Sequence, residues 1–332
     1  MCGLFGYAGP WSFRAASVLQ ALAIADEVRG KHSTGLAVLG REASFAKKAL
    51  SGADFVRHGY ASLLFARKFG LAIGHNRFAT AGEVNDRNAH PFAIRTPRGV
   101  SYAAHNGCVG GKDLIARHFG VADVPVDSEV MFRAIGRESG RTEAEFLDSV
   151  EEVVGFIAAR ADFACLWLET TRPKAIYFWR SPQRPLVVFD ARKAGLGRFL
   201  CSTVEIFSAA WGMVRGCLPS ISKVSSWEAK PMTVYRVVDD GTWEVEPLRR
   251  IKQPAPPKAA QVQAHLWGGE ESDDGPRVFD CASCGTPVDA EYVVMADPHT
   301  GRLASGGKPH HESCVAAPAG GCLPESSSAA SA

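Results

Sequence analysis

Cys2 stands just behind the initiator, ahead of Gly3 and the apolar run Leu4-Phe5-Gly6. Methionine is removed ahead of small second residues, so the mature chain would begin with a cysteine carrying both a thiol and a free α-amine. That amine titrates at roughly 7.7–8.0, and it can take the thiol proton directly or through one water. Thiolate is the nucleophile, and a terminal amine acting as its base is an established activation mode. Taken alone, Cys2 reads first as an early strand residue. A second group able to do chemistry lies near the other end. Cys281-Ala-Ser-Cys284-Gly is followed by His311-Glu-Ser-Cys314, with His310 as the alternative to His311. Four N/S ligands in two close pairs suit a structural, tetrahedral Zn²⁺ site at about 2.0–2.3 Å. A redox Cys-x-x-Cys is the rival, without the βαβ pattern that would accompany it.

Length and composition limit what these groups can serve. The 332 residues are 46% apolar and 22% charged, as in globular protein. At about 100–200 residues per domain this length corresponds to about two domains. A net charge of +2 gives no electrostatic case for nucleic acid or an anionic membrane. No apolar run approaches the roughly 20 residues of a membrane span, and no signal-peptide pattern precedes Cys2, so a cytoplasmic location is expected. Nine cysteines, five before residue 250 and four between 281 and 322, argue against a disulfide framework.

The elements that must position these residues follow from periodicity and punctuation. Residues 4–8 read as a buried strand and 12–29 as a helix stopped by Gly30. Strands are expected at 34–39 and 71–75, with a mixed helix at 51–67 between them. The second of these strands delivers a dense polar segment, Asn76 to His90. A strand at 101–104 runs into His105-Asn106-Gly107, read as a tight turn. Helices are expected at 128–138 and 143–159, with Ser128, Glu129, Thr142 and Glu145 as capping groups. Strands then dominate: 163–168, 175–179, 186–189, 199–202 and 232–238. Helices and strands in blocks point to α+β layers and not to a doubly wound sheet. The divisions expected are a domain over 1–250, a Pro/Gly/acid-rich linker over 251–276, a small zinc-ribbon or treble-clef-like module over 277–322, and a disordered tail over 323–332.

Five patches fall in order along the first of these domains: Cys2-Gly-Leu-Phe-Gly; Arg29-Gly-Lys-His-Ser-Thr-Gly35; Gly74-His-Asn-Arg77-Phe78-Ala-Thr80-Ala-Gly82; Asn88-Ala-His-Pro91; and His105-Asn106-Gly107 followed by Asp127-Ser-Glu129. Together with Ser181-Pro-Gln-Arg-Pro-Leu186 and Leu200-Cys-Ser-Thr-Val-Glu205 they resemble the class II glutamine amidotransferase domain, an N-terminal-nucleophile (Ntn) hydrolase. The nearest likeness is to the glutaminase half of glucosamine-6-phosphate synthase, over about residues 2–240. The resemblance implies a four-layer αββα sandwich in which Cys2 attacks the glutamine side-chain amide. Asn106 Nδ2 and the Gly107 N–H would stabilise the oxyanion, one such donor being worth roughly 3–4 kcal/mol. Arg77 would clamp the substrate α-carboxylate beside Thr80, Phe78 would form a wall, and Asp127 would meet the α-ammonium. Arg29, His75 and His90 would support the pocket.

The likeness has departures. Phe78 replaces the usual Trp, Ala81 a frequent His, and His32 a common Asp. The remaining 241–332 are too short for the family's acceptor domains, so a separate ammonia-accepting synthase or amidating subunit is the expected partner. No cofactor is expected for the hydrolysis itself. Two alternatives are hydrolysis of another γ-glutamyl amide and a catalytically silent scaffold.

Overall fold

Along β1 (Gly3–Ala8) successive side chains enter different cores: Phe5 and Tyr7 pack on one side, Leu4 and Ala8 on the other. A strand buried on both faces must lie inside a layered structure. The computed structural model describes residues 2–80, 82–158, 161–214 and 216–252, together with the backbone of four short strands further on. The chain divides into two compact units, 1–256 and 257–332.

In the first unit β1 is followed by α1 (Phe13–Ala25), β2 (Ser33–Gly40), β3 (Ala43–Lys48), α2 (Gly52–Arg57), α3 (Tyr60–Phe65) and β4 (Phe69–Arg77). Then come β5 (Phe92–Thr96), β6 (Gly99–Val109), α4 (Lys112–His118), α5 (Asp127–Glu138), α6 (Glu143–Ile157), β7 (Ala161–Glu169) and β8 (Ala175–Arg180). The unit closes with β9 (Val187–Asp190), β10 (Arg198–Cys201), α7 (Val204–Met213), β11 (Ser225–Glu228), β12 (Thr233–Val238) and β13 (Val245–Arg250). One sheet has the order β11-β9-β10-β1-β4-β2-β3 and the other β13-β12-β8-β7-β6-β5. Every strand pair is antiparallel.

Three apolar cores set the layers. Leu4, Ile73, Leu166 and Phe178 meet between the sheets. Leu19, Leu22, Phe55, Phe65 and Phe207 seal α1, α2, α3 and α7 onto the first sheet. Ile115, Phe132, Phe146 and Val150 seal α4, α5 and α6 onto the second. The described unit is thus an antiparallel α+β sandwich with helices outside. Thr142 and Glu145 form the expected capping box on α6. Ser128 and Glu129 do not cap α5, which starts one residue earlier, at Asp127.

Two further local expectations are corrected. The helix read over 51–67 is two helices, divided at Gly59, whose φ of +80° breaks the run. The Asn106-Gly107 turn is not a turn: β6 continues to Val109 in register with β7, Gly107 facing Phe163 and Cys108 facing Asp162. Pairing with a neighbouring strand overrides the turn preference of the dipeptide. Among the described residues no helix is long and apolar enough to cross a membrane.

In the second unit β14 (Val278–Asp280) pairs with β15 (Pro287–Asp289), and β16 (Val293–Ala296) with β17 (Lys308–His311). Cys281, Cys284 and Cys314 lie outside the described residues, and His311 is described only as backbone. The linker 251–276, apart from Ile251 and Lys252, and the tail 323–332 also lie outside them. Among the described residues no three His, Cys, Asp or Glu side chains are grouped to hold a metal.

Candidate active site

Strand alternation aims the candidate residues at one another. Leu4 and Ala8 face the layer between the sheets, and Cys2 continues that series at the start of β1. On β4, Leu71 and Ile73 face the same layer, followed by His75 and Arg77. On β6, Tyr102 and Ala104 face it from the opposite sheet, followed by Asn106. Cys2, Arg77 and Asn106 therefore fall on the strand faces that look into the layer between the sheets.

The Cys2 thiol is gripped by the main chain of Phe78. Phe78 N–H donates to Sγ at 3.3 Å, and the thiol donates to the Phe78 carbonyl at 3.4 Å. Arg29 Nε donates to the Cys2 carbonyl at 2.7 Å, which fixes the nucleophile from the other side. Burial pushes the thiol pKa up; the Phe78 backbone and the Arg77 charge oppose that rise. A thiol held up in this way needs a base at hand. Gly30 makes the grip possible: a Cβ there would stand 2.4 Å from Arg77 C and 2.5 Å from Phe78 N.

Arg77 is 3% exposed and donates to the Glu83 carbonyl at 3.1 Å. Burial lowers its pKa, while Cys2 and Asp127 act in the opposite direction, so all three groups share one electrostatic neighbourhood. Asp127 opens α5 with its carboxylate turned to backbone donors. Val109 N–H and Ser128 N–H each donate to it at 2.8 Å. A carboxylate has about four acceptor positions, so it keeps capacity for a cation. Thr80 is exposed in the bend after β4. Phe78 is 44% exposed and stacks on His32, ring centroids 4.9 Å apart. His32 Nδ1 accepts the Ala79 N–H at 2.9 Å. The two sequence departures at 32 and 78 are thus one local unit supporting the loop beside Cys2.

Asn106 is fully buried, and neither Nδ2 nor Oδ1 has a protein hydrogen-bond partner. An unpartnered buried amide costs about 1–3 kcal/mol and marks a group reserved for something else. Gly107 has φ +146°. Its opposite number, Phe163, uses both its N–H and its C=O on Ser181. Opposed antiparallel residues exchange both bonds or neither, so the Gly107 N–H points away from β7. On that side β5 has already ended, its last pair being Phe92 with Ala103. Two donors so placed can hold an oxygen as it becomes negative.

His75, His90 and His105 are buried. The His75 and His90 rings are 4.1 Å apart, and His90 Nε2 lies 2.9 Å from Ser128 Oγ. Burial lowers the pKa of all three, that of His75 to about 3. Sequence reasoning missed Asp162, which touches the Gly107–Cys108 segment across the sheet. Nothing in the order of residues announces that contact.

Comparison with known proteins adds to this geometry. No family model matches the chain. It is 31% identical over 219 residues to glutamine–fructose-6-phosphate aminotransferase [isomerizing] of Pyrococcus horikoshii, covering 63% of this chain and 33% of that protein. The like-named protein of Chlamydia muridarum is 28% identical over 260 residues, 75% of this chain and 38% of the relative. The chain thus spans about a third of the length of these curated relatives. Among solved structures, an allosteric regulatory enzyme of purine biosynthesis matches with a TM-score of 0.58 at 20% identity, over 75% of this chain and 49% of that one. Glutamine phosphoribosylpyrophosphate amidotransferase from B. subtilis matches at 0.56 and 18% identity, with the same coverage. The described unit shares the fold of these two solved structures. Over the aligned stretch the chain is similar in sequence to these glutamine–fructose-6-phosphate aminotransferases, which are enzymes of the glutamine amidotransferase class.

Proposed function

We propose that this chain hydrolyses the side-chain amide of glutamine at Cys2 and releases ammonia for a separate acceptor enzyme. Removal of Met1 frees the α-amine, which takes the thiol proton. The thiolate attacks the amide carbon, and the carbonyl electron pair moves onto oxygen, held by Asn106 Nδ2–H and Gly107 N–H. Collapse expels ammonia, protonated by the α-ammonium, and leaves a γ-glutamyl thioester. Water, activated by the same amine, adds to that thioester, and glutamate leaves as the thiol is restored. Arg77 holds the substrate α-carboxylate as a two-pronged donor, with Thr80 and Phe78 beside it, and Asp127 holds the α-ammonium. The observation that carries this reading is the Asn106 amide, buried without a protein hydrogen-bond partner two residues along β6 from Ala104, which shares the inter-sheet layer with Leu4.

The acceptor is a separate synthase or amidating subunit. Cys281, Cys284, His311 and Cys314 would hold a structural Zn²⁺, supported by the donor set and by the position of Cys281 and Cys284 in the sequence between the paired strands β14 and β15. A free thiol nucleophile suits a reducing compartment, which supports action in the cytoplasm. The test is a substrate panel on purified protein. Glutamine should give glutamate and ammonia in equal amounts, with the activity lost in Cys2→Ala. Preference for another γ-glutamyl amide would redirect the substrate assignment, and turnover surviving Cys2→Ala would overturn the mechanism.

A further inference from the structure

We propose that Asp162 is a positioning residue for the oxyanion site, fixing the segment of β6 that carries Gly107 and itself held by Arg184. The inference rests on the glutaminase reading above. Asp162 lies directly opposite Cys108 in the β6–β7 register. Its Oδ1 accepts the Cys108 N–H at 2.7 Å. Its other carboxylate oxygen is paired with the Arg184 guanidinium from the loop between β8 and β9. Its main-chain carbonyl oxygen lies 3.3 Å from His105 Nε2. The same oxygen is pressed against Gly107, so that a Cβ on that glycine would stand 1.9 Å from it.

One residue therefore touches β6 at 105, 107 and 108. The contact matters because of where the sheet stops helping. Gly107 and Phe163 form a pair without mutual hydrogen bonds, and Gly107 has the backbone freedom of glycine. The peptide plane between Gly107 and Cys108 is the next rigid unit, and its N–H is anchored by the Asp162 carboxylate. Fixing that plane fixes ψ of Gly107 and, with the contact on its Cα, the direction in which its own N–H points. Arg184 pairs with the carboxylate and holds it turned toward β6, where it meets the Cys108 N–H. The Arg184 side chain is 15% exposed and that of Asp162 29%, so the pair is partly screened from solvent.

The experiment is glutaminase kinetics on the full chain, with iodoacetamide alkylation of Cys2 as a readout that does not use the oxyanion site. A misplacement of about 1 Å at such a site can cost about 100-fold. Asp162→Ala should lower kcat by about 10- to 100-fold, with KM for glutamine and the Cys2 alkylation rate within about threefold of wild type. Asp162→Asn, which keeps an acceptor for Cys108 N–H, should recover most of the rate. A wild-type kcat in Asp162→Ala, or a loss shared equally by alkylation, would overturn the inference. If Asp162→Ala does not fold, Arg184→Gln decides. A kcat lowered about 3- to 10-fold at unchanged alkylation supports the assignment, and an unchanged kcat refutes it. Wild-type protein lacking any Cys2-dependent turnover would refute the glutaminase reading and this inference together. Cys2-dependent turnover that stays at the wild-type rate in Asp162→Ala refutes the inference alone.

Discussion

Replacing Asn106 by leucine should make the protein more stable and nearly inactive. The amide is fully buried with both polar atoms unpartnered, and Leu4, Ile73 and Ala104 belong to the same inter-sheet layer. Leaving a buried amide unsatisfied costs about 1–3 kcal/mol, and an apolar side chain of similar shape removes that cost. A domain of this size gains roughly 2–4 °C in melting temperature per kcal/mol. Asn106→Leu should therefore melt about 2–12 °C higher than wild type. Losing one oxyanion donor costs about 10²- to 10³-fold in kcat, roughly 3–4 kcal/mol of transition-state stabilisation. Differential scanning calorimetry and a coupled glutamate assay on the same sample measure both. A variant that melts lower and keeps most of its activity would refute the reasoning, because Asn106 would then be an ordinary structural residue.

Three further outcomes follow from the same contacts. Gly30→Ala should cut kcat at least tenfold with little change in the helical circular dichroism signal, since its Cβ would meet the Arg77 and Phe78 backbone that grips the thiol; wild-type turnover would contradict this. His75, His90 and His105 have pKa values below the ordinary histidine range in the folded protein, so between that range and the folded values the unfolded chain binds more protons. Their contribution is fully present above about pH 6.5 and is lost as pH falls toward the folded values, His75 down to about 3, by up to about 1.4 kcal/mol per pH unit for each histidine. Urea midpoints should drop from pH 7 to pH 5, less steeply in His75→Gln, and parallel curves would argue against the cause. Metal analysis should find one zinc per chain, removed by Cys281→Ser with Cys314→Ser and leaving glutaminase kinetics unchanged; no zinc in protein grown with the metal would remove the module from the account.

Much of the site was legible because its chemistry is local in sequence. Cys2 follows the initiator, Arg77, Phe78 and Thr80 sit within four residues, and Asn106 adjoins Gly107. The layered α+β fold was legible from blocks of strand and helix periodicity. What was not legible depends on partners far along the chain. Asn-Gly reads as a turn until β7 arrives from more than fifty residues away and draws it into a strand. Asp162 looks like any strand acid until Cys108 lies opposite it. His32 and Phe78 looked like separate departures from a motif, yet their rings stack and His32 carries the next amide. The short edge strands β3, β5, β11 and β13 were missed because so few residues establish no period.

The most direct test of Cys2 as a terminal nucleophile in a glutamine-shaped site is intact mass before and after 6-diazo-5-oxo-norleucine, an electrophilic glutamine mimic. The expected protein has lost Met1 and gains one adduct, suppressed by glutamine and absent in Cys2→Ala. A chain that keeps Met1, or a processed chain that forms no adduct, would contradict that assignment.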